Sequence, residues 1–332
     1  MQSDRRHSGK GKKVEIIDKH PDCDNEELAL AILAGWEKGL RLPDSYITSV
    51  YGADPPRRYV GMSSAGRCRR QIVLNRREDF EPSVTTASQL DTFRVGHLME
   101  ADTRACLQRG GIPIVNDQFA VHFYTTGDAE SVHGHIDGLV YWDLFVGTEK
   151  NEPDVREVVY SEYPHSFLSV ALFEHKKLGD YPWKLCVGKK GFKRDAPMEN
   201  VVREEDGGYV LRQGTLQRVQ HEYYQQMQCY MLALRNRAVP VTRGIFVGRN
   251  PDGKAIAVEV VNFDAPEAEI AMSRLVSCVN DYGNGLIPVQ DHTPGKDWNC
   301  DYCAYRGACE DLGPGDGPIE KVLNLTEGGD GS

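Results

Sequence analysis

Near the middle of the chain stands the stretch Leu168-Ser169-Val170-Ala171-Leu172-Phe173-Glu174-His175-Lys176, an apolar run that ends in a carboxylate, an imidazole and an amine. Its aliphatic and aromatic residues predict a buried β-strand. Because side chains alternate along a strand, Glu174 and Lys176 should share one face and His175 should point to the other. Glu-x-Lys pairs are common on solvated strand faces, so the significance of this pair depends on the rest of the chain.

The patterns on both sides of this strand predict an α/β domain. Helices are predicted at about residues 90–108, 215–236 and 264–282, and strands at about 112–122, 132–142, 168–176, 243–248 and 255–261. The order helix, three strands, helix, strands favours a mixed sheet flanked by helices over a barrel or a doubly wound parallel sheet.

Composition limits the classes of protein that are compatible with this chain of 332 residues. No apolar run is long enough to span a bilayer, and residues 1–13 are polar and basic, unlike a secretory signal. We therefore expect a cytoplasmic protein with no membrane partner, in which the nine cysteines are thiols or metal ligands. A net charge of −10 excludes a surface coated with phosphate-binding residues but leaves local basic patches open.

The ends of the chain differ in composition from its middle. A polar, basic tail precedes a helix that Asn25 would cap, and Asp54-Pro55-Pro56 is typical of a linker. The last twenty residues are rich in Gly and acidic residues. We therefore predict an N-terminal tail with a short helix at 1–55, a main domain at 56–312 and a flexible acidic tail at 313–332.

A second carboxylate lies on the strand before the central one, in Val132-His133-Gly134-His135-Ile136-Asp137-Gly138. A neighbouring strand would bring Asp137 beside Glu174, and two hard oxygen ligands suit Mg²⁺ or Mn²⁺. Two alternatives remain open: Asp137-Gly138 as a simple turn, and zinc binding by the alternating histidines His133 and His135. For these histidines we favour a supporting or packing role.

The predicted helix at 90–108 carries a third carboxylate in Gly96-His97-Leu98-Met99-Glu100. Glu100 lies one turn from Gly96 and is a candidate third ligand of the metal site. His97 is a weaker, secondary candidate. The alternative is that Glu100 is an ordinary surface residue of the helix.

Gln226 and Tyr230 lie four residues apart in the helical pattern of 215–236, so they should project from one face. This face would present an amide and a phenol to a DNA strand or to the region around Lys176. The alternative is a polar and aromatic helix that simply packs on the sheet.

Four cysteines form a metal-ligand pattern. Cys300-x₂-Cys303-x₅-Cys309 is a compact trio, and Cys68 lies far upstream among basic residues. A lone remote cysteine with a trio fits a 4Fe–4S cluster better than zinc, because structural zinc sites usually pair two Cys-x-x-Cys halves. A zinc site with the same ligands remains open. Either metal would join the N-terminal and C-terminal parts of the fold.

Two basic segments are candidates for phosphate contact. One surrounds Cys68, and the other interleaves basic residues with Trp183 and Phe192, a mixture suited to single strands. A solvated loop is an equally good account of the second. Their basic residues are Arg67, Arg69, Arg70, Arg76 and Arg77, and Lys184, Lys189, Lys190, Lys193 and Arg194.

Taken together, these motifs resemble the PD-(D/E)xK nuclease superfamily over residues 62–312. The likeness is greatest to its RecB-like branch with an iron–sulfur clip, which includes the Cas-four-type nucleases of CRISPR adaptation and the AddB nuclease domain. The matching positions are Asp137 of the second motif, Glu174 and Lys176 of the Glu-x-Lys motif, Gln226 and Tyr230 of the Gln-hydrophobic-x-x-Tyr motif, and the cluster ligands Cys68, Cys300, Cys303 and Cys309.

The sequence also departs from the family pattern. Glu100 stands where the family has a histidine, as in phage-type recombination exonucleases. An acidic insertion at 149–162 and a long segment at 184–206 bear on substrate choice more than on chemistry.

The resemblance implies a restriction-endonuclease-like fold and a Mg²⁺- or Mn²⁺-dependent DNA exonuclease. Asp137, Glu174, Glu100 and the backbone carbonyl of His175 would bind the metal, Lys176 would assist the attacking water, and Gln226 and Tyr230 would position the strand. Single-stranded ends, 5′-to-3′ polarity and a role in recombination, repair or replication are expected, in the host cytoplasm if a phage encodes the protein. A homo-oligomer is left open. The alternative function is a DNA-binding adaptor that keeps the fold without cutting.

Overall fold

The computed structural model describes residues 25–41, 59–80, 82–83, 87–116, 118–124, 131–141, 170–187, 201–203, 208–250, 255–292, 298–313 and 317–318. The predicted 54–56 linker, the acidic insertion at 149–162 and most of the two predicted tails lie outside these residues. The helices are α1 (Asn25–Arg41), α2 (Arg69–Leu74), α3 (Ala87–Arg109), α4 (Asp180–Val187), α5 (Thr215–Val219), α6 (His221–Arg235), α7 (Ala265–Gly283), α8 (Trp298–Asp301) and α9 (Arg306–Leu312).

The strands are β1 (Ile114–Val115), β2 (Phe119–Tyr124), β3 (Ser131–Ile136), β4 (Gly138–Tyr141), β5 (Val170–Lys177), β6 (Val201–Arg203), β7 (Gly208–Val210), β8 (Val241–Arg249), β9 (Ile256–Asn262), β10 (Leu286–Ile287) and β11 (Gly317–Pro318). The central sheet has the order β1-β4-β5-β8-β9-β7-β6. Its β5–β8 and β7–β9 pairs are parallel and the others are antiparallel. The predicted mixed α/β architecture is confirmed at this level.

The two faces of the sheet bury different side chains of β5. Leu172 packs with residues of α6 and α7, such as Met227 and Leu275. Phe173 packs on the other side with residues of α1 and α3, such as Leu107. The central strand is therefore covered on both faces, as its continuous apolar sequence predicts.

Helix α1, the short helix predicted within the N-terminal segment 1–55, packs in the same core as the sheet. Leu28 and Ile32 are fully buried in this core. The helix approaches the end of α3 so closely that a Cβ atom on Gly110 would lie 1.7 Å from the carbonyl oxygen of Gly35. Only glycine fits at this crossing.

Three predicted elements are divided in the structure. The strand at 112–122 is β1 and β2, separated by Asn116 and Gln118 with positive φ of 54° and 53°. The strand at 132–142 is β3, which pairs with β2 in a separate two-stranded sheet, and β4, which joins the central sheet. The helix at 215–236 is α5 and α6, separated at Gln220, whose φ of −140° and ψ of 55° are not helical.

None of the helices in the part of the chain that the structure describes is long and apolar enough to cross a membrane.

Candidate active site

Three buried carboxylates meet beside the central strand. Glu174 is on β5, Asp137 lies between β3 and β4, and Glu100 is on α3; Glu174 is the most buried, with 1% of its surface exposed. Gly138 of β4 pairs with Phe173 of β5, which brings Asp137 next to Glu174. Oδ2 of Asp137 accepts a hydrogen bond of 2.8 Å from the backbone N–H of His175. The strand pairing therefore brings these two carboxylates together, as the sequence predicts.

Glu174 has two side-chain donors on one of its oxygens. Its Oε1 accepts hydrogen bonds from Nζ of Lys176 at 2.5 Å and from Nε2 of Gln226 at 2.7 Å. Its Oε2 is buried and has no hydrogen-bond partner among the described residues. A buried carboxylate oxygen without a donor is costly unless a cation or a proton satisfies it.

Gln226 and Tyr230 of α6 lie behind Glu174. Both side chains are buried, and Nε2 of Gln226 also donates to the Tyr230 hydroxyl oxygen at 3.2 Å. Gly134 of β3 makes room for the phenol, because a Cβ there would lie 2.3 Å from Cε1 of Tyr230. These contacts position Glu174 beside Lys176, so Gln226 and Tyr230 face the region around Lys176, the second of the two predicted targets.

Glu100 has its own partners. Its Oε1 accepts a hydrogen bond of 2.8 Å from Nε2 of Gln118 and lies 3.5 Å from NH1 of Arg104, one turn further along α3. His97 lies close enough for its charge to lower the pKa of Asp137. Gln118 was not identified from the sequence, because its contact with Glu100 depends on a backbone conformation with positive φ that the sequence pattern does not reveal. The i,i+4 spacing of Glu100 and Arg104 was the signal that could have revealed Arg104.

Burial and mutual repulsion raise the pKa values of these carboxyl groups. Burial raises the pKa of Glu174 to about 8, with the charge of Asp137 adding to it. Burial and Asp137 likewise raise the pKa of Glu100 to about 7. Burial raises the pKa of Asp137 too, against the opposing charge of Lys176. The pocket therefore stabilises added positive charge, such as a proton or a metal ion.

Lys176 remains a cation in this environment. Burial lowers the pKa of its amine, but the charges of Glu174 and Asp137 outweigh burial and raise that pKa above its usual value. An ammonium group donates hydrogen bonds and has no lone pair to take a proton. Its place beside Glu174 therefore suits orientation of a water or a phosphate oxygen.

The His175 side chain points away from the carboxylates, as strand alternation predicts. Its Nε2 lies 3.2 Å from Oγ1 of Thr103 on α3, and Arg249 of β8 donates to the same hydroxyl at 3.3 Å. Burial lowers the pKa of His175 to about 3, so the ring is neutral at physiological pH. Neither Thr103 nor Arg249 was identified from the sequence, because the parallel pairing of β5 with β8 brings Arg249 near His175, and the packing of α3 on β5 brings Thr103 there.

The donor set fits Mg²⁺ or Mn²⁺ by its chemistry. Asp137, Glu174 and Glu100 supply hard oxygens, and Oε2 of Glu174 is buried without a donor. The side chains are not arranged as a finished site, since the described residues contain no group of three or more His, Cys, Asp or Glu side chains placed to hold a metal. Binding would therefore require side-chain adjustment.

The four predicted cysteine ligands line one cavity of about 250 Å³. Cys68 precedes α2, and the other three lie on or beside α8 and α9. Burial raises the pKa of the Cys303 thiol, and the charges of Cys68 and Cys309 add to this effect, so these side chains interact electrostatically. Cys68 therefore shares a cavity with the other three cysteines, although the described residues contain no group of three or more cysteine or other ligand side chains placed to hold a metal.

Two donors face Cys309. Arg70, with 1% of its surface exposed, places NH1 3.7 Å from the Cys309 Sγ, and Nε2 of Gln290 lies 3.1 Å from the same sulfur. Arg70 also donates to the carbonyl oxygens of Pro288 and Gly313 at 2.7 and 2.5 Å. The Cys309 sulfur therefore accepts hydrogen bonds from two N–H donors, one of them on a guanidinium group.

The basic residues around Cys68 are largely engaged within the protein. Arg69 forms an ion pair of 2.6 Å with Asp281, Arg77 pairs with Asp79, and Arg76 lies 3.9 Å from the Tyr282 ring centroid. These contacts weaken the prediction of a phosphate-binding patch there. In the second basic segment, Lys184 lies 3.3 Å from Asp180, and residues 188–200 lie outside the described residues.

Comparisons with known proteins give few matches to this chain. No protein-family model matches it, and no curated protein matches it. Among solved structures, one titled "Crystal structure of SSO0001" is 13% identical, with a TM-score of 0.38. That match covers 84% of this chain and 94% of the other.

Proposed function

We propose that this protein is a Mg²⁺- or Mn²⁺-dependent deoxyribonuclease of the PD-(D/E)xK kind, with a restriction-endonuclease-like fold. The observation that carries the proposal is the meeting of Asp137, Glu174 and Lys176, with one buried oxygen of Glu174 lacking a donor. Two carboxylates and an ammonium group on adjacent strands are a suitable constellation for phosphodiester hydrolysis.

Each residue has a distinct role in this proposal. Asp137, Glu174, Glu100 and the carbonyl oxygen of His175 would hold the metal. When bound, the metal would polarise the phosphate and lower the pKa of a coordinated water. Lys176 would orient the attacking water and offset negative charge on the phosphate. Gln226 and Tyr230 would hold Glu174 in the orientation that it needs, and His97 would be a secondary ligand.

For the cysteine cavity we propose a 4Fe–4S cluster held by Cys68, Cys300, Cys303 and Cys309. The fit rests on the four sulfurs lining one cavity and on the donors from Arg70 and Gln290 to Cys309. When bound, the cluster would clamp α2 to the segment of α8 and α9. Zinc held by the same residues is the alternative that elemental analysis would reveal.

The resemblance to RecB-like nucleases supports single-stranded DNA ends as the substrate, with 5′-to-3′ polarity. It supports a role in recombination, repair or replication. These proposals concern the choice of substrate, and they can fail while the hydrolytic chemistry stands.

The test is cleavage of end-labelled single-stranded and double-stranded DNA with Mn²⁺ by protein purified without oxygen. Lys176→Ala should abolish cutting with the fold intact, whereas Lys177→Ala, the matched neighbour on the opposite strand face, should cut normally. Full activity of Lys176→Ala would overturn the proposed mechanism. DNA binding by the parent without metal-dependent cutting would favour the adaptor function.

A further inference from the structure

The hairpin of β2 and β3 carries a row of rings on one face. His122 and His133 are direct cross-strand partners, with ring centroids 4.4 Å apart. Tyr124 stacks on His122 at 6.0 Å and an interplanar angle of 15°, and Tyr59 lies 5.0 Å from His133. These four residues, which we call the ring row, form one continuous series of contacts.

The hairpin has an apolar face and a ring face. Val121, Val132 and Ile136 alternate with the ring residues and are fully buried in the core. Tyr124, at the far end of the ring row, has 66% of its surface exposed. The core thus accounts for one face of the hairpin but leaves the Tyr124 ring open to contact.

The ring row extends outward from the carboxylate pocket. Phe119, the first residue of β2, pairs with Ile136, which immediately precedes Asp137. Gln118, just before β2, donates to Glu100. A six-residue strand spans about 17 Å from its first to its last residue. The hairpin therefore connects the pocket with the exposed Tyr124.

A cation accompanies the hairpin. NH1 of Arg237 donates to the backbone carbonyl of Ala120 at 3.3 Å, and Arg237 is itself exposed. An aromatic surface with a nearby cation is the combination that binds single-stranded nucleic acid, because bases stack on rings and cations attract the phosphate backbone. Duplex DNA hides its base faces and cannot stack in this way.

We propose that the ring row is a stacking platform for single-stranded DNA, on which unpaired bases lie as the strand leads to the carboxylate pocket. The inference rests on the proposed function for the identity of the pocket. It goes further by assigning a binding surface to Tyr124, His122, His133 and Tyr59.

The experiment measures the affinity of the full-length protein, without divalent metal, for a fluorescent oligo-dT of roughly 15 nucleotides. Tyr124→Ala should weaken binding roughly 5- to 150-fold, the range expected for loss of stacking by one ring. Tyr124→Phe keeps the ring and should bind like the parent. Ile270→Ala, which removes another exposed apolar side chain on α7, should also bind like the parent.

A second measurement separates stacking from a change in the hairpin. An oligonucleotide with abasic positions should bind the parent more weakly than oligo-dT does, and Tyr124→Ala should discriminate less between the two. Unchanged affinity of Tyr124→Ala for oligo-dT would overturn the platform, even if the parent cuts DNA. Binding that depends on Tyr124 in a protein that never cuts would support the platform and overturn the nuclease. No affinity of the parent for oligo-dT would overturn the platform, whereas the nuclease is overturned only if the parent fails to cut both single-stranded and double-stranded DNA with Mn²⁺.

Discussion

The carboxylate pocket and the cysteine cavity are stabilised in different ways. The pocket is built on β5, which is hydrogen-bonded to β4 and β8 and buried on both faces. The cavity lies between short helices over a small core of Leu74, Ile287 and Tyr305. The pocket is therefore a product of the main fold, whereas we expect the cavity to depend on whatever its cysteines bind.

The charges of the two regions support this distinction. In the pocket, buried carboxylates surround one partly buried ammonium group, and the geometry is fixed by strand pairing. Around the cavity, partly exposed ion pairs such as Arg306 with Asp301 and Arg274 with Asp291 join the segments. Exposed ion pairs contribute little to the free energy of unfolding, because water screens them. The two regions should therefore respond independently to substitution.

The largest expected effect is that of Glu174→Gln on cleavage. The substitution removes the charge that would hold the metal and should lower the cleavage rate by at least roughly 10²–10³-fold. Metal content and absorption of the cysteine region should remain unchanged. Loss of cleavage together with loss of metal from the cysteine region would show that the pocket and the cavity are one cooperative unit.

The corresponding substitution in the cysteine cavity, Cys303→Ala, should affect that cavity and leave the carboxylate pocket intact. We expect loss of the bound cluster or zinc and a lower free energy of unfolding, because metal binding contributes directly to folding. Limited proteolysis should cut near α8 and α9, while the affinity of the carboxylate pocket for Mn²⁺ stays within about threefold of the parent's. Cys106→Ala, a buried cysteine far from the cavity, should keep the metal. Retention of metal by Cys303→Ala would contradict the assigned ligand set.

A smaller effect should follow from Gly134→Ala. The new methyl group would clash with Tyr230, displace it from Gln226 and cost roughly 1–3 kcal/mol of stability. Cleavage should fall while the cysteine region keeps its metal.

Gly283→Ala is the control, since a Cβ there meets no atom within 4 Å. Chemical denaturation and the cleavage rate measure the two consequences. An unchanged cleavage rate in Gly134→Ala would contradict the role of Tyr230 and Gln226 in holding Glu174.

The last effect is a pH dependence of stability, to which Glu174 contributes alongside other buried carboxyl groups such as Glu259. The pKa of Glu174 is raised from 4.5 to about 8. Between these values the folded protein retains a proton that the unfolded chain has lost, so this group makes stability fall as pH rises. Urea unfolding of metal-free protein at pH 5.5 and 8.5 should show this loss, and Glu174→Gln should show less of it. A parent and variant with equal slopes would contradict the raised pKa.

The strand and the helices were predictable because their patterns are strong. The apolar run into Glu174 has the composition of a buried strand, and the helix predicted from residue 264 begins directly after Asp264, whose side chain accepts a capping hydrogen bond from the backbone N–H of Glu267. The division at Asp137 agrees with the alternative of a turn at Asp137-Gly138, whereas the division at Gln220 was not predictable, because the helical pattern continues across it. Those breaks are set by tertiary packing, which assigns β3 and β4 to different sheets.

The candidate site was predictable only in part, for a related reason. Motif spacing marked Asp137, Glu174 and Lys176, and the structure brings them together. Spacing also placed Gln226 and Tyr230 on one face of a helix, but it carried no information on burial. Their position behind Glu174 follows from the packing of α6 on the sheet, which a single sequence does not encode locally.

The contacts that build the carboxylate pocket join distant parts of the chain, and this affects the order in which the protein folds. Glu174 and Gln226 are 52 residues apart in the chain, and Asp137 is 38 residues from His175. Contacts of such sequence separation form slowly, because the entropy of closing the intervening loops is lost before the contacts compensate for it. We therefore expect the pocket to be absent from early folding intermediates. Cleavage would then begin only when refolding is nearly complete, later than the appearance of helical structure.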